Sequence, residues 1–371
     1  MNGPKKPKTA WTSVLPGLAL SVMVALLARL AHQVLPHGLA AAVGEVILAV
    51  LLGLLIGNTI GVPPLFAPGV RFSFHAVLRI AIVLLGASFS VQQVASIGGR
   101  AVIMVVVLMT IALLAAHLLG RVARVPPRLA TLIGVGTAVC GNSAIVATAP
   151  VIGAHDDEVS FAVATNTLFG TLAVFLYPLL GHALHLGDPA FGTWAGSAVN
   201  DTSQVVATGF AFSDGAGRIA TAVKLTRNAL MGVVIVLMGV LHGRGRSEIE
   251  DPSTRASVAR ERPPRPAEEG TFSTRLKQSV PLFVIGFLAM AALQSAGILR
   301  ALSIRVGHDV AALADNWARV LILIALAGVG LSTRIAAMRR AGLRPFYIGL
   351  TVAAAVSAVS LLWIHMVGPA G

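Results

Sequence analysis

The sequence predicts an all-α polytopic membrane protein with about 10–11 transmembrane helices. Three observations carry that prediction. Hydrophobic residues make up 56% of the 371-residue chain and charged residues only 12%, about half the charged share of a soluble domain. Mean hydropathy is +0.83. Apolar runs of span length recur from end to end, separated by short loops rich in Arg, Lys, Gly and Pro.

The first run, 14–34, follows a basic N-terminus, MNGPKKPKTAW. It is long for a signal-peptide core and no convincing A-x-A cleavage site follows it, so it reads as a retained span. Further spans are expected at 39–57, 74–90, 101–119, 129–152, 158–180, 190–212, 219–241, 280–299, 318–335 and 346–364. The run at 190–212 is weakly hydrophobic, and the sequence leaves open whether it crosses or re-enters. The chain thus divides into spans 1–8 over residues 1–241, a linker at 242–279, and spans 9–11 over 280–371. Pro, Gly, Ser and mixed charges fill the linker, with nothing apolar at helical spacing. That composition predicts a disordered cytoplasmic segment, more readily a tolerated insertion than a regulatory element.

Charge placement orients the spans. With the N-terminus in the cytoplasm, that side receives Lys5, Lys6, Lys8, Arg71, Arg121, Arg124, Arg128, the linker arginines, Arg334, Arg339, Arg340 and Arg344. The outer side receives only Arg100, Arg218, Arg300 and Arg305. This asymmetry obeys the positive-inside bias. It predicts a multi-pass protein of a bacterial inner membrane. The net charge of +13 therefore belongs to loops facing a bilayer. No basic stretch is interleaved with aromatics, so no nucleic-acid partner is expected. The sequence does not decide whether the chain forms a homo-oligomer. A single cysteine, Cys140, excludes an intrachain disulfide.

Several polar groups fall where lipid would not tolerate them. Residues 129–152 read RLATLIGVGTAVCGNSAIVATAPV. Gly lowers helix stability by about 1 kcal/mol against Ala, and Asn and Ser carry groups that hydrocarbon cannot satisfy. Small residues alone could serve close helix packing, but Asn142 beside Gly141 is not explained that way. A helix interrupted mid-membrane is expected, with Thr137, Cys140, Gly141, Asn142 and Ser143 at a binding site. Cys140 is included by position, since a lone buried cysteine is usually a small apolar filler. The run Asn200, Asp201, Thr202, Ser203 and Gln204 suggests a second broken helix facing the first. It could also be a plain loop. Asp201 would act as a counter-ion, a proton carrier or a Na+ ligand.

Lys224 and Arg227 share one helical face well inside the eighth span. Intramembrane cations mark ion pathways, so both are expected to bind an anion. The alternative is that they pair with Asp201 and lock the bundle. Glu45 could carry a proton or coupling ion, and Arg79 could snorkel to the surface. Glu158 is expected to favour a helix N-terminus. No P-loop, H-E-x-x-H or G-x-S-x-G motif is present. No enzyme, metal or cofactor is expected, apart from Na+ or H+ as a coupling ion.

Two internal echoes stand out. Gly86-Ala87-Ser88 with Gly98-Gly99-Arg100 recurs as Gly330-Leu331-Ser332 with Gly342-Leu343-Arg344. The expected topology runs those spans in opposite directions, as in an inverted-repeat transporter with discontinuous helices. GTAVCGNSAIVATA (136–149) also echoes GSAVNDTSQVVATG (196–209). An inverted copy does not explain this second pair.

GTAVCGNSAIVATAPVI, FGTWAGSAVNDTSQVVATG, AVKLTRN and RIAIVLLGASFS together resemble the YeiH-type family of bacterial inner-membrane proteins, often called sulfate exporters. The resemblance runs from the second span to the last, and the linker matches poorly. It implies a secondary transporter distantly similar to bile acid, arsenite and riboflavin transporters, with panel and core domains and crossed, interrupted helices. The family's segments fall on residues 140–145, 201–205 and 224–227. The expectation is an ion-coupled anion transporter, an exporter of sulfate, sulfite or a sulfonate working by alternating access. The alternative is a membrane-embedded anion sensor or scaffold without flux.

Overall fold

The computed structural model describes residues 11–35, 44–246, 281–333 and 343–370. Every element among them is helical. In chain order these are α1 (Trp11–Val34), α2 (Glu45–Thr59) and α3 (Ala67–Phe72). A π-helical turn (Ser73–Val77) joins α3 to α4 (Leu78–Leu85). Then come α5 (Val91–Val122), α6 (Pro127–Ala138), α7 (Asn142–Ile152), α8 (Asp156–Ala183), α9 (Asp188–Ala198) and α10 (Thr202–Phe212). The series ends with α11 (Asp214–Ala229), α12 (Met231–Arg246), α13 (Leu282–Ser295), α14 (Ile298–Val306), α15 (Val310–Ser332) and α16 (Leu343–Val367).

The protein is an all-α polytopic membrane protein. Among the described residues, seven helices are long and apolar enough to cross a bilayer, and the bent pair α13–α14 makes an eighth. Two further apolar helices among the described residues fall short of that length, α2 and α7. The linker expected at 242–279 begins later than its composition suggests, because α12 runs to Arg246. Residues 247–280 lie outside the described part of the chain.

Helix starts follow local chemistry. Glu158 accepts the backbone N–H of His155 at the head of α8 (2.8 Å), beside Asp156 and Asp157 in a positive helix end. Asp309 accepts from the N–H groups of Ala311 and Ala312 to open α15. Ser90 and Gln93 form a reciprocal capping box at α5.

The helices pack as two bundles. One holds α1, α2, α3–α4, α13, α14 and α15. The other holds α5 to α12 and α16. In the first, Gly53 of α2 and Gly330 of α15 meet backbone to backbone. A Cβ at Gly53 would strike the Ala327 carbonyl, and one at Gly330 the Val50 carbonyl. The span α3–α4 runs antiparallel to α15: Ser73 packs against Gly328 near one end, and Ser88 bonds Asp315 near the other. The two Gly-x-Ser echoes thus close oppositely directed spans.

Burial explains why 190–212 is weakly apolar. In α9, Phe191 through Ala198 are buried without exception. Trp194 is 1% exposed, stacks on Tyr177 at 4.1 Å and donates its indole N–H to Ser357. Ser197 bonds Ser360 at 2.6 Å. This helix faces protein, so it needs no lipid-compatible surface.

Candidate functional site

Two helices break at matching places. Helix α6 ends at Ala138 and α7 begins at Asn142, while α9 ends at Ala198 and α10 begins at Thr202. The second sequence echo is therefore a repeat of the interruption itself. Gly141 has φ +68° and ψ −127°, a conformation essentially restricted to glycine. A Cβ there would also lie 2.7 Å from the Asn166 amide nitrogen.

Each break strands the last carbonyls of a helix. Lys224 and Arg227 of α11 take them up. The Lys224 ammonium donates to the carbonyls of Val139 (2.7 Å), Val199 (3.0 Å) and Asn200. The Arg227 guanidinium donates to Ala138 (3.2 Å), Ser197 (2.7 Å), Val199 (3.0 Å), Gly196 and Thr137. Their exposures are 0% and 2%. Here the expectation changes. Lys224 and Arg227 sit at the breaks, but their protons are spent on backbone oxygen, and neither is in the lining of the cavity beside them. They do not pair with Asp201. They neutralise the negative ends of α6 and α9, where cations are favoured. Thr137 and Asn200 join the site through their carbonyls only.

Beside the breaks, and between the two bundles, lies a cavity of about 960 Å3. Its floor is formed by the starts of α7 and α10: Cys140, Asn142, Ser143, Asp201, Thr202, Ser203 and Gln204 all line it. These are positive helix ends, whose first N–H groups have no intrahelical partner. Asp201 caps α10, accepting from the Ser203 N–H at 2.9 Å and its hydroxyl at 2.6 Å through one carboxylate oxygen. Asn142 is held by Asn166 and Thr167, and Asn228 donates to the Thr202 hydroxyl at 3.2 Å. The Cys140 thiol donates to the Met231 sulfur at 3.3 Å. Buried acceptor oxygens of Gln204 and Asn228 have no partner among the described residues, although both side chains line the cavity.

The opposite side comes from the first bundle. Arg71, His75 and Arg79 line it one helical turn apart, along α3, the π-turn and α4. None of the three makes a hydrogen bond or ion pair with a described residue. Arg79 lies over the Phe283 ring at 6.0 Å. Sequence reasoning placed Arg71 in a loop and Arg79 one turn into its span, because the span was expected to begin at residue 74. It begins at Ala67, which puts Arg79 about 18 Å deep at 1.5 Å per residue. The spacing 71, 75, 79 was the missed signal. Glu45 opens α2 and is absent from the cavity lining.

At the other end of the seam the bundles are tied by charge. Asp315 of α15 accepts from Arg218 of α11 at 2.8 Å, from Arg319 at 3.0 Å and from the Ser88 hydroxyl at 2.6 Å. Arg319 also pairs with Asp214.

Comparison with known proteins decides the lineage, because one family matches across both bundles and the cavity. The chain belongs to the conserved hypothetical protein 698 family. The match covers residues 16–349. A UPF0324 membrane protein of Streptococcus pyogenes is 33% identical over 355 residues, 94% of this chain and 95% of its own. That of Nitratidesulfovibrio vulgaris is 31% identical over 95% of this chain and 93% of its own. A relative from Clostridium tetani is 29% identical over 93% and 95%. The names of these family members say membrane protein and give no substrate.

Proposed function

We propose that this protein is a secondary transporter, an exporter of a small inorganic or organic anion such as sulfate, sulfite or a sulfonate. One observation carries the reading. A cavity at the seam of two bundles is faced by two half-helix starts on one side and, on the other, by three cationic or basic side chains with no hydrogen-bond or ion-pair partner among the described residues. Half-helix starts favour negative charge. The buried cations at the breaks make this possible by cancelling the opposing helix ends. Apart from the Asp201 carboxylate, the charges around the cavity are positive.

Alternating access follows if one bundle moves against the other. The Asp315 cluster holds the seam together at one end, and the cavity lies toward the other, where Arg71 and Thr333 sit. By the charge bias of the loops, the cavity end faces the cytoplasm of a bacterial inner membrane. Asp201 is the residue for ion coupling, with one carboxylate oxygen free of protein partners. Glu45 is not in the cavity lining, so it is given no part in the proposed coupling.

The test is flux of radiolabelled sulfate and thiosulfate in proteoliposomes under imposed Na+ and H+ gradients. Uptake or efflux above that of empty vesicles is expected. Absence of flux with retained anion binding would leave a sensor in its place. Asp201→Asn preserves a good N-cap, so the folded protein should remain. Its flux should lose dependence on the ion gradient.

A further inference from the structure

The size and surface of the cavity bear on what fills it. Small-molecule sites run from roughly 300 to 1,000 Å3, and this one, at about 960 Å3, is near the top. A tetrahedral oxyanion takes the room of only a few waters, each about 30 Å3. Much of the remaining space faces the half-exposed rings of Phe74 and Phe283, with Val70, Leu78, Ile82 and Leu331 buried behind them. On the span from Ala67 to Ser88, positions 70, 74, 78 and 82 form one stripe, and Arg71, His75 and Arg79 form the neighbouring one. Side chains four residues apart lie on the same helical face. The π-turn at Ser73–Val77 carries His75; such turns recur at functional sites.

A bare oxyanion would satisfy the charged stripe and leave the Phe74 and Phe283 rings against water. A ligand with a charged head and an apolar body covers both, and burial of that body adds to its affinity. Resting on the anion-transporter reading, we infer that the occupant is an amphipathic organic anion, a sulfonate or carboxylate. Its head lies on the Arg71–His75–Arg79 stripe and its body on Phe74 and Phe283. Arg71 and Arg79 are then the residues that select charge, and Phe74 the residue that selects the body.

The experiment measures binding to the full-length protein in phosphatidylcholine nanodiscs by calorimetry. The probes are sulfate, methanesulfonate, butanesulfonate and butyltrimethylammonium. Each methylene buried adds up to about fourfold in affinity. Butanesulfonate should therefore bind at least tenfold tighter than methanesulfonate, with sulfate weaker still and the cation not bound. Arg79→Gln should weaken butanesulfonate at least tenfold, and Arg79→Lys should recover part of the loss. Arg71→Gln, nearer the start of the span, serves if the Arg79 variants do not fold. Phe74→Ala should shrink the ratio between butane- and methanesulfonate while leaving sulfate unchanged.

Equal affinity for sulfate and butanesulfonate would overturn the inference and leave the anion site standing. Binding of no anion, or preference for the cation, would overturn both. A lipid headgroup presents the same chemistry, so the series is repeated with phosphatidylglycerol in the disc. Loss of butanesulfonate binding there would assign the stripe to lipid and end the inference.

Discussion

Lys224 and Arg227 show how much a residue's role depends on what its protons meet. Their depth and shared face were legible in the sequence, and so was their position near the two breaks. Their partners were not, because a carbonyl freed by a helix break leaves no mark in a list of side chains. Depth alone suggested an external anion. Removing either should therefore damage folding before it damages selectivity. Lys224→Met strips a donor from Val139, Val199 and Asn200. Val199 keeps the Arg227 bond, so two carbonyls are left unpaired, and at about 1–3 kcal/mol each the loss should be about 2 kcal/mol or more. The measurement is the midpoint of thermal unfolding in detergent. A folded variant of unchanged midpoint with altered anion selectivity would return Lys224 to the binding site.

At the level of elements, the two interrupted helices were readable from Gly141 beside Asn142 and from the run Asn200–Gln204. The echo between 136–149 and 196–209 also held the matching break points, though direction alone made it look anomalous. What the sequence hid was the start of the third span. Pro68 and Gly69 looked like loop, yet Pro is at home in a first helical turn, and α3 begins there. That shift moved Arg71, His75 and Arg79 into the candidate site. The break at 139–141 should be intolerant of change. Gly141→Ala forces a side chain into a glycine-only conformation against Asn166 and Asp201. A cost of about 1–3 kcal/mol is expected, read as a lower yield of monodisperse protein. Cys140→Ser, on the same break and facing the cavity, should leave that yield intact.

Across the whole molecule, the division into two bundles cuts through chain order, with α16 returning to the bundle of α5–α12. Linear reading groups spans by sequence neighbourhood, so that partition was not visible from span positions; only the family resemblance implied two domains. The seam is where motion would act. A single reporter can read it, since Cys140 is the chain's one cysteine and Ser143 is exposed to the cavity. In a Cys140→Ser background, Ser143→Cys should react with a membrane-impermeant maleimide from the Arg71 side only. Adding Asp315→Ala removes the acceptor shared by Ser88, Arg218 and Arg319. Labelling from the opposite side should then rise. Unchanged sidedness would mean the charge cluster does not hold that end shut.

The grip of α11 on both interruptions also has a consequence for biosynthesis. Residues 137–139 and 196–200 leave the ribosome before Lys224 and Arg227 exist to cover their oxygens. Until that helix is made, neither half-built crossing can shed its water and settle into the lipid. The fold must therefore wait for its eighth hydrophobic segment before the two earlier ones are complete.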